Sequence, residues 1–353
     1  MSARYRPLLP VLALVLGCAG PRPGPEPLAC RFEPRPAPAV RASLRGLAVV
    51  STEVVWASGT EGTVVSTTDG GRSWRVARVA GAAGADLRSI HAFDAEVAVV
   101  ATAGQPARIL RTADGGATWD LVHEVADAAA FLDSLRFADR QLGYAFGDPL
   151  GDGAHFVLRS EDGGRSFARL ARTPAALPGE AGFAASGSCI DARGGLLRIG
   201  TGGGAARLLR GIDAGEAWEA VPVPILQGAP SQGIFSLAFA DARHGLAVGG
   251  DHLEPDRRDG TAAYTADGGA TWETAAIPPT GFRSGAAFVP AFGARVVVAV
   301  GTNGADLSRD GGRTFAPLPG VPGHHAIAFA PGTAVGWAVG AAGRIARVTV
   351  ERR

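Results

Sequence analysis

The sequence predicts an all-β ring of seven four-stranded blades, a β-propeller, and three observations carry that prediction. The octapeptide Thr-Ala-Asp-Gly-Gly-Ala-Thr-Trp at 112–119 recurs in near-copies at 67–74, 160–167, 265–272 and 308–315, with a worn copy at 211–218. The aspartates of these boxes, Asp69, Asp114, Asp162, Asp213, Asp267 and Asp310, are spaced by 45, 48, 51, 54 and 43 residues. Such a period suits one propeller blade and far exceeds that of helical-hairpin repeats. Between boxes the chain reads as short apolar runs broken by Gly-rich turns, with no long segment of 3.6-residue periodicity.

Composition removes several function classes. All 34 basic residues are Arg, against 33 acidic ones, for a net charge of +1. No one-signed field therefore argues for nucleic acid or an acidic polymer. Three cysteines, Cys18, Cys30 and Cys189, are too few and too scattered for a disulfide framework or a zinc site. No cofactor motif is present, and the chain is expected to be a monomer.

Taken in order, the chain opens on a targeting segment at 1–18. Arg4 and Arg6 precede a short apolar run, too short for the roughly 20 residues that span a bilayer. Val15, Leu16, Gly17 and Cys18 resemble a bacterial lipobox, in which Cys18 would be acylated and become the mature N-terminus. A plain secretory signal or an uncleaved anchor are the alternatives; all three place the folded part outside the cytoplasm. Residues 19–38 form a Pro-rich tether, interrupted by a strand-like island near 29–33.

Within each repeat of 39–353 four strands can be read. In the second repeat they are an apolar strand at 87–93, a small and branched one at 97–101, a third at 107–111 leading into the box, and a fourth from 118. A seventh repeat after residue 323 has three strands and no box. A blade lacking its outer strand would expose an unpaired edge. The island at 29–33 is expected to close the ring by pairing beside 344–348.

The box itself reads as a hairpin device. Its Asp and Ser/Thr oxygens can accept turn N–H groups, its glycines permit positive φ, and its Trp or Phe can pack under the hairpin or on the next blade. One carboxylate per hairpin is no calcium site, which needs six to eight oxygens. The copy at Asp213, with Gly211 and Ala217 replacing hydroxyl residues, is expected to be the loosest.

These boxes resemble Asp-box (BNR) repeats, and residues 40–353 resemble propellers related to the photosystem II stability/assembly factor. Sialidases, xyloglucanases and sortilin-type receptors carry such boxes too, so the resemblance implies a fold and leaves activity open. The sialidase pattern is incomplete: no Arg-Ile-Pro precedes the first box, and Tyr5, Tyr144 and Tyr264 stand away from the starts of the inner strands.

With strands alternating in direction, the boxes share one face of the disc with the turns between first and second strands. Ligands are expected over the axis on the opposite, loop face. Aligning the starts of the inner strands gives Arg45-Gly46, Arg88-Ser89, Asp133-Ser134, Ser186-Gly187, Phe235-Ser236, Arg283-Ser284 and His324-His325. Arg45, Arg88 and Arg283 could hold an anionic group, with Asp133, Asp148, Asp251 and His325 as acids and base. The competing expectation is that these charges pair among themselves around a solvated channel. The functional expectation is a non-catalytic binding or assembly propeller holding a protein segment or a small anionic ligand. The alternative is a glycoside hydrolase using Asp148 and Asp251.

Overall fold

The computed structural model describes residues 27–35, 37 and 39–353; the targeting segment and Cys18 lie outside them. Seven antiparallel sheets surround one axis. Their innermost strands are Leu44–Val49, Asp86–Ala92, Leu132–Phe137, Ile190–Arg193, Gln232–Phe239, Gly285–Phe288 and Ala326–Phe329. Each is followed outward by the second, third and fourth strands of its blade in sequence order.

Blade seven departs from that order as expected. Its third strand, Ile345–Arg352, pairs on its outer side with Leu28–Pro34, from Leu28 opposite Arg352 to Pro34 opposite Ala346. The ring is closed by N-terminal residues, and the ladder covers the edge that the missing fourth strand would have left open.

The core is divided among the joints. Seven apolar clusters occur among the described residues, each shared by two adjacent blades. Small and β-branched second strands such as Ala98–Ala103 fill these joints because both their faces are covered. The two largest fully buried side chains, Trp56 and Trp337, sit in the joints on either side of blade one.

The boxes link hairpin to joint. Thr112 Oγ1 donates to Asp114 Oδ1 at 2.8 Å and accepts the Gly116 N–H at 2.9 Å; Asp114 in turn accepts from Thr118 N–H and, at 2.6 Å, from Thr118 Oγ1. The same bonds recur at Asp69, Asp162, Asp267 and Asp310. The second glycine has a further role. Gly71 lies at φ 78°, and a Cβ there would sit 2.4 Å from the Trp337 ring. Box tryptophans stack on the preceding blade, not the following one: Trp74 on Trp337 and Trp119 on Trp56, both edge-on.

The worn box departs from expectation. Asp213 and Ala214 adopt positive φ, the Asp213 side chain makes no hydrogen bond among the described residues, and a short 3-10 turn replaces the box. Yet this hairpin has the longest ladder, six pairs from Arg207–Pro222 to Ile212–Ala217, whereas blade three's has two. Backbone pairing substitutes for the lost side-chain bonds.

Candidate functional site

The loop-face mouth of the axis is where the innermost strands begin. Strand pairing aligns Ala48, His91, Arg136, Asp191, Ala238, Ala287 and Ala328, which lie opposite Trp56, Val99, Tyr144, Arg198, Leu246, Val298 and Trp337 of the second strands. Counting back three residues, the mouth positions are Arg45, Arg88, Asp133, Ser188, Phe235, Ser284 and His325. In blades four, six and seven this corrects the alignment read from sequence by one or two residues. A one-residue slip turns a strand side chain to the other face, and its effect on Arg283 is large.

Arg283 is completely buried in its own blade. Its guanidinium pairs with Asp306 (Nε to Oδ2 2.7 Å, with a second close contact from Nη2), and donates to Asn303 Oδ1 and Phe282 O at 2.7 Å and Thr280 Oγ1 at 2.6 Å. With its donors engaged, it is not available to an external anion, contrary to expectation.

Arg45, Arg88, Asp133 and Phe235 share a positioning device. The pairing register shifts between Leu44 and Gly46, Asp86 and Ser89, Leu132 and Ser134, and Ile234 and Ser236. A bulge thus lies at the same height in four blades and aims the residue within it at the mouth.

What these residues meet is their own chain. The connection from blade three to blade four runs up over the disc and passes across the axis at 182–188. Gly182 N–H donates to Asp148 Oδ1 at 2.9 Å in blade three. Phe183 stacks on Phe235 of blade five, ring centroids 3.9 Å apart. Arg88 Nη1 reaches Ala184 O at 3.5 Å and Arg45 Nη1 reaches Ala185 O at 3.3 Å. Ser186 Oγ donates to Ser284 O of blade six at 2.6 Å, and Ser188 Oγ bonds Ser236 Oγ at 2.8 Å. Five blades therefore grip this segment, which stoppers the mouth.

Its base is anchored by a short strand that sequence reading missed. Glu180–Ala181 pairs with Gly202–Gly203, which pairs onward with Gly233, fusing this loop to blade five. The glycine run at 200–204 serves that approach: a Cβ on Gly202 would lie 2.6 Å from Gly233 Cα, and one on Gly204 2.0 Å from Pro178 O. Burial acts to raise the Glu180 carboxyl, but His155, Arg207, the Leu177 N–H and Thr201 outweigh it and hold it at about 2.

Charge around the stopper is uneven. Arg88 is held by Asp86 at 2.7 Å. Among the described residues Arg45 hydrogen-bonds only a neutral carbonyl, and its buried Nε has no partner. Burial, then the neighbouring Arg88, push its pKa down, with Asp86 opposing. His325 is pushed down to about 4 by burial first, then by Arg45, His324, Arg344 and Arg88, and its Nε2 lies 3.3 Å from Ser43 Oγ.

On the far side Asp133 is fully buried with Oδ2 unpartnered, and burial, then Asp148, raise it well above the usual carboxylate range. Burial raises Asp148 as well, opposed by the Gly182 N–H and His155. Asp251 stands apart in blade five, where burial acts to raise it but Gln232 (3.0 Å) and the Leu253 N–H (2.9 Å), with Ser231, hold it low.

Below the stopper the axis is open. A cavity of about 490 Å³ extends from Ser186, Gly187 and Ser188 to the exposed turns at Pro290, Gly293, Pro331 and Gly332 on the box face. The open end is thus on the face opposite the one expected.

Fold and axis together define a seven-bladed β-propeller with a self-stoppered loop face and a channel open toward its boxes. Among solved structures the chain is similar to YCF48 bound to D1 peptide, at 16% identity and TM-score 0.64, over 92% of this chain and 97% of that one. It is also similar to YCF48 from Cyanidioschyzon merolae, at 17% identity and TM-score 0.59, over 90% and 98%. A third is the GH74 xyloglucanase from Xanthomonas campestris, at 18% identity and TM-score 0.64, where 90% of this chain spans 53% of that one. At these identities what is shared is the fold, the one implied by the assembly-factor resemblance. No family model and no curated protein matches the sequence.

Proposed function

We propose that this protein is an exported, non-catalytic binding propeller, anchored through Cys18, that holds an acidic protein segment or a small anionic ligand at Arg45 and Arg88. The observation that carries this reading is the incomplete partnering of Arg45, a guanidinium beside a second one, with a buried donor unpaired and a single long bond to a neutral carbonyl. A carboxylate is a stronger partner for a guanidinium fork than a carbonyl. The similarity to a propeller solved with a bound peptide agrees with a protein segment as the occupant.

The test is fluorescence anisotropy with peptides carrying a free C-terminal carboxylate and their amidated twins. Binding should favour the free acids and weaken about tenfold or more in Arg45→Ala and Arg88→Ala, as expected for charge-assisted hydrogen bonds. Equal affinity for acids and amides, or wild-type affinity in both variants, would refute it.

One observation favours a second reading, glycoside hydrolysis: Asp148 is raised and Asp251 held low, the split an acid and its partner carboxylate require. Against it, each is bonded within its own surroundings, Asp148 to the stopper and Asp251 to Gln232. Release of sugar from xyloglucan or aryl glycosides, lost in Asp148→Asn, would establish it over binding.

A further inference from the structure

The channel below the stopper has a chemistry of its own. Its lining mixes polar groups with apolar side chains, among them Leu47, Ile90, Leu135, Leu237 and Ile327. Among the seven register-equivalent positions, four are alanine: Ala48, Ala238, Ala287 and Ala328. The other three are His91, Arg136 and Asp191. Asp191 is engaged by Arg193 at 2.9 Å and Arg198 at 3.1 Å.

Arg136 is different. It lines the cavity and is open to its solvent, yet among the described residues its side chain makes no hydrogen bond and no ion pair. Desolvation by the packed inner strands pushes its pKa down, aided by Arg193 and opposed by Asp191, but a guanidinium stays charged through such shifts. A permanent cation with no hydrogen-bonded partner among the described residues, set in a cavity of about 490 Å³ that also presents a run of leucine and isoleucine side chains, is complementary to an anion with an apolar body; small-molecule sites span roughly 300–1,000 Å³.

We propose that the channel is a second binding site, for a small monocarboxylate of the medium-chain fatty-acid class. Its carboxylate pairs with Arg136 and its chain lies along the leucine and isoleucine wall. Access is from the box face, since residues 186–188 close the other end. This site is independent of the one at Arg45 and Arg88.

Calorimetric titration of the full chain with octanoate, octanol and octylammonium tests it. Arg136→Ala places at this position the residue four other blades already carry, so the fold should survive, as circular dichroism would verify. Octanoate should bind the wild type and lose at least about tenfold in affinity in Arg136→Ala; octanol should be unaffected by that change and octylammonium should bind weakest. Ala287→Phe should block binding by filling the channel. No octanoate binding to folded wild type, wild-type affinity in Arg136→Ala, or undiminished binding in Ala287→Phe would each overturn the proposal.

Discussion

Asp133 and Arg283 are both expected from the sequence at the mouth and have opposite fates. Arg283 was moved by one residue of register into a pocket with Asp306, where each donor finds an acceptor. Asp133 reached the mouth but lies sealed under Gly182, with one oxygen unpaired. Burial therefore favours its neutral form. The folded pKa lies above the unfolded one, so the unfolded chain releases this proton first. The stabilisation is complete below the unfolded value near 4 and is lost as pH rises through the folded value. Asp133→Asn should flatten this loss, and urea unfolding at pH 8 should find the variant more stable by at least about 1 kcal/mol. A variant that loses stability with pH as the wild type does would show that another group is responsible. Which polar residues occur at strand starts was legible in the sequence; which way each points was not, because bulges and register are decided by pairing partners.

At the scale of the element, the box is a self-contained turn whose logic is visible in its residue types. Asp267 accepts from Thr271 N–H and Oγ1, and although burial acts to raise its pKa, these bonds and that from Thr265 hold it at about 2. The sign is opposite to that of Asp133: the stabilisation is present above the unfolded value near 4 and is lost as pH falls toward 2. Asp267→Ala should lower Tm by a few degrees at neutral pH, whereas Asp213→Ala should leave it nearly unchanged, since Asp213 makes no side-chain bond. Scanning calorimetry of both variants checks this, and equal losses would mean that the worn box still depends on its aspartate. The box pattern was readable because its bonds are local. The short strand Glu180–Ala181 was not, since two residues leave no periodicity and its partner lies some twenty residues on.

For the whole molecule, closure was legible because a ring imposes an accounting rule: every outer edge needs a fourth strand, and only the N-terminal island remained to supply one. The axis was not, because apart from Phe183 the stopper is made of Gly, Ala and Ser, with no motif. The closing strand places Leu28 in the joint of blades six and seven. A chain beginning at Arg35 would leave the outer edge of Ile345–Arg352 unpaired along seven positions. It should melt earlier and associate through that edge, as seen by light scattering; a monomer with the wild-type Tm would show that blade seven is stable with three strands.

The same closure gives the disc an orientation. Leu28 begins its strand opposite Arg352, beside the blade-six box, where Arg309 reaches its carbonyl at 3.4 Å. Both ends of the described ring therefore lie on the box face, with the Arg353 N–H bonded to Pro27 O at 2.8 Å. From Cys18 the ten residues to Leu28 span at most about 35 Å. An acyl anchor at Cys18 would tether the disc like a plate on a short stalk, box face toward the bilayer. The channel mouth would then open toward the lipid, the source of acyl chains, while Arg45 and Arg88 would face the aqueous compartment where peptide segments are met.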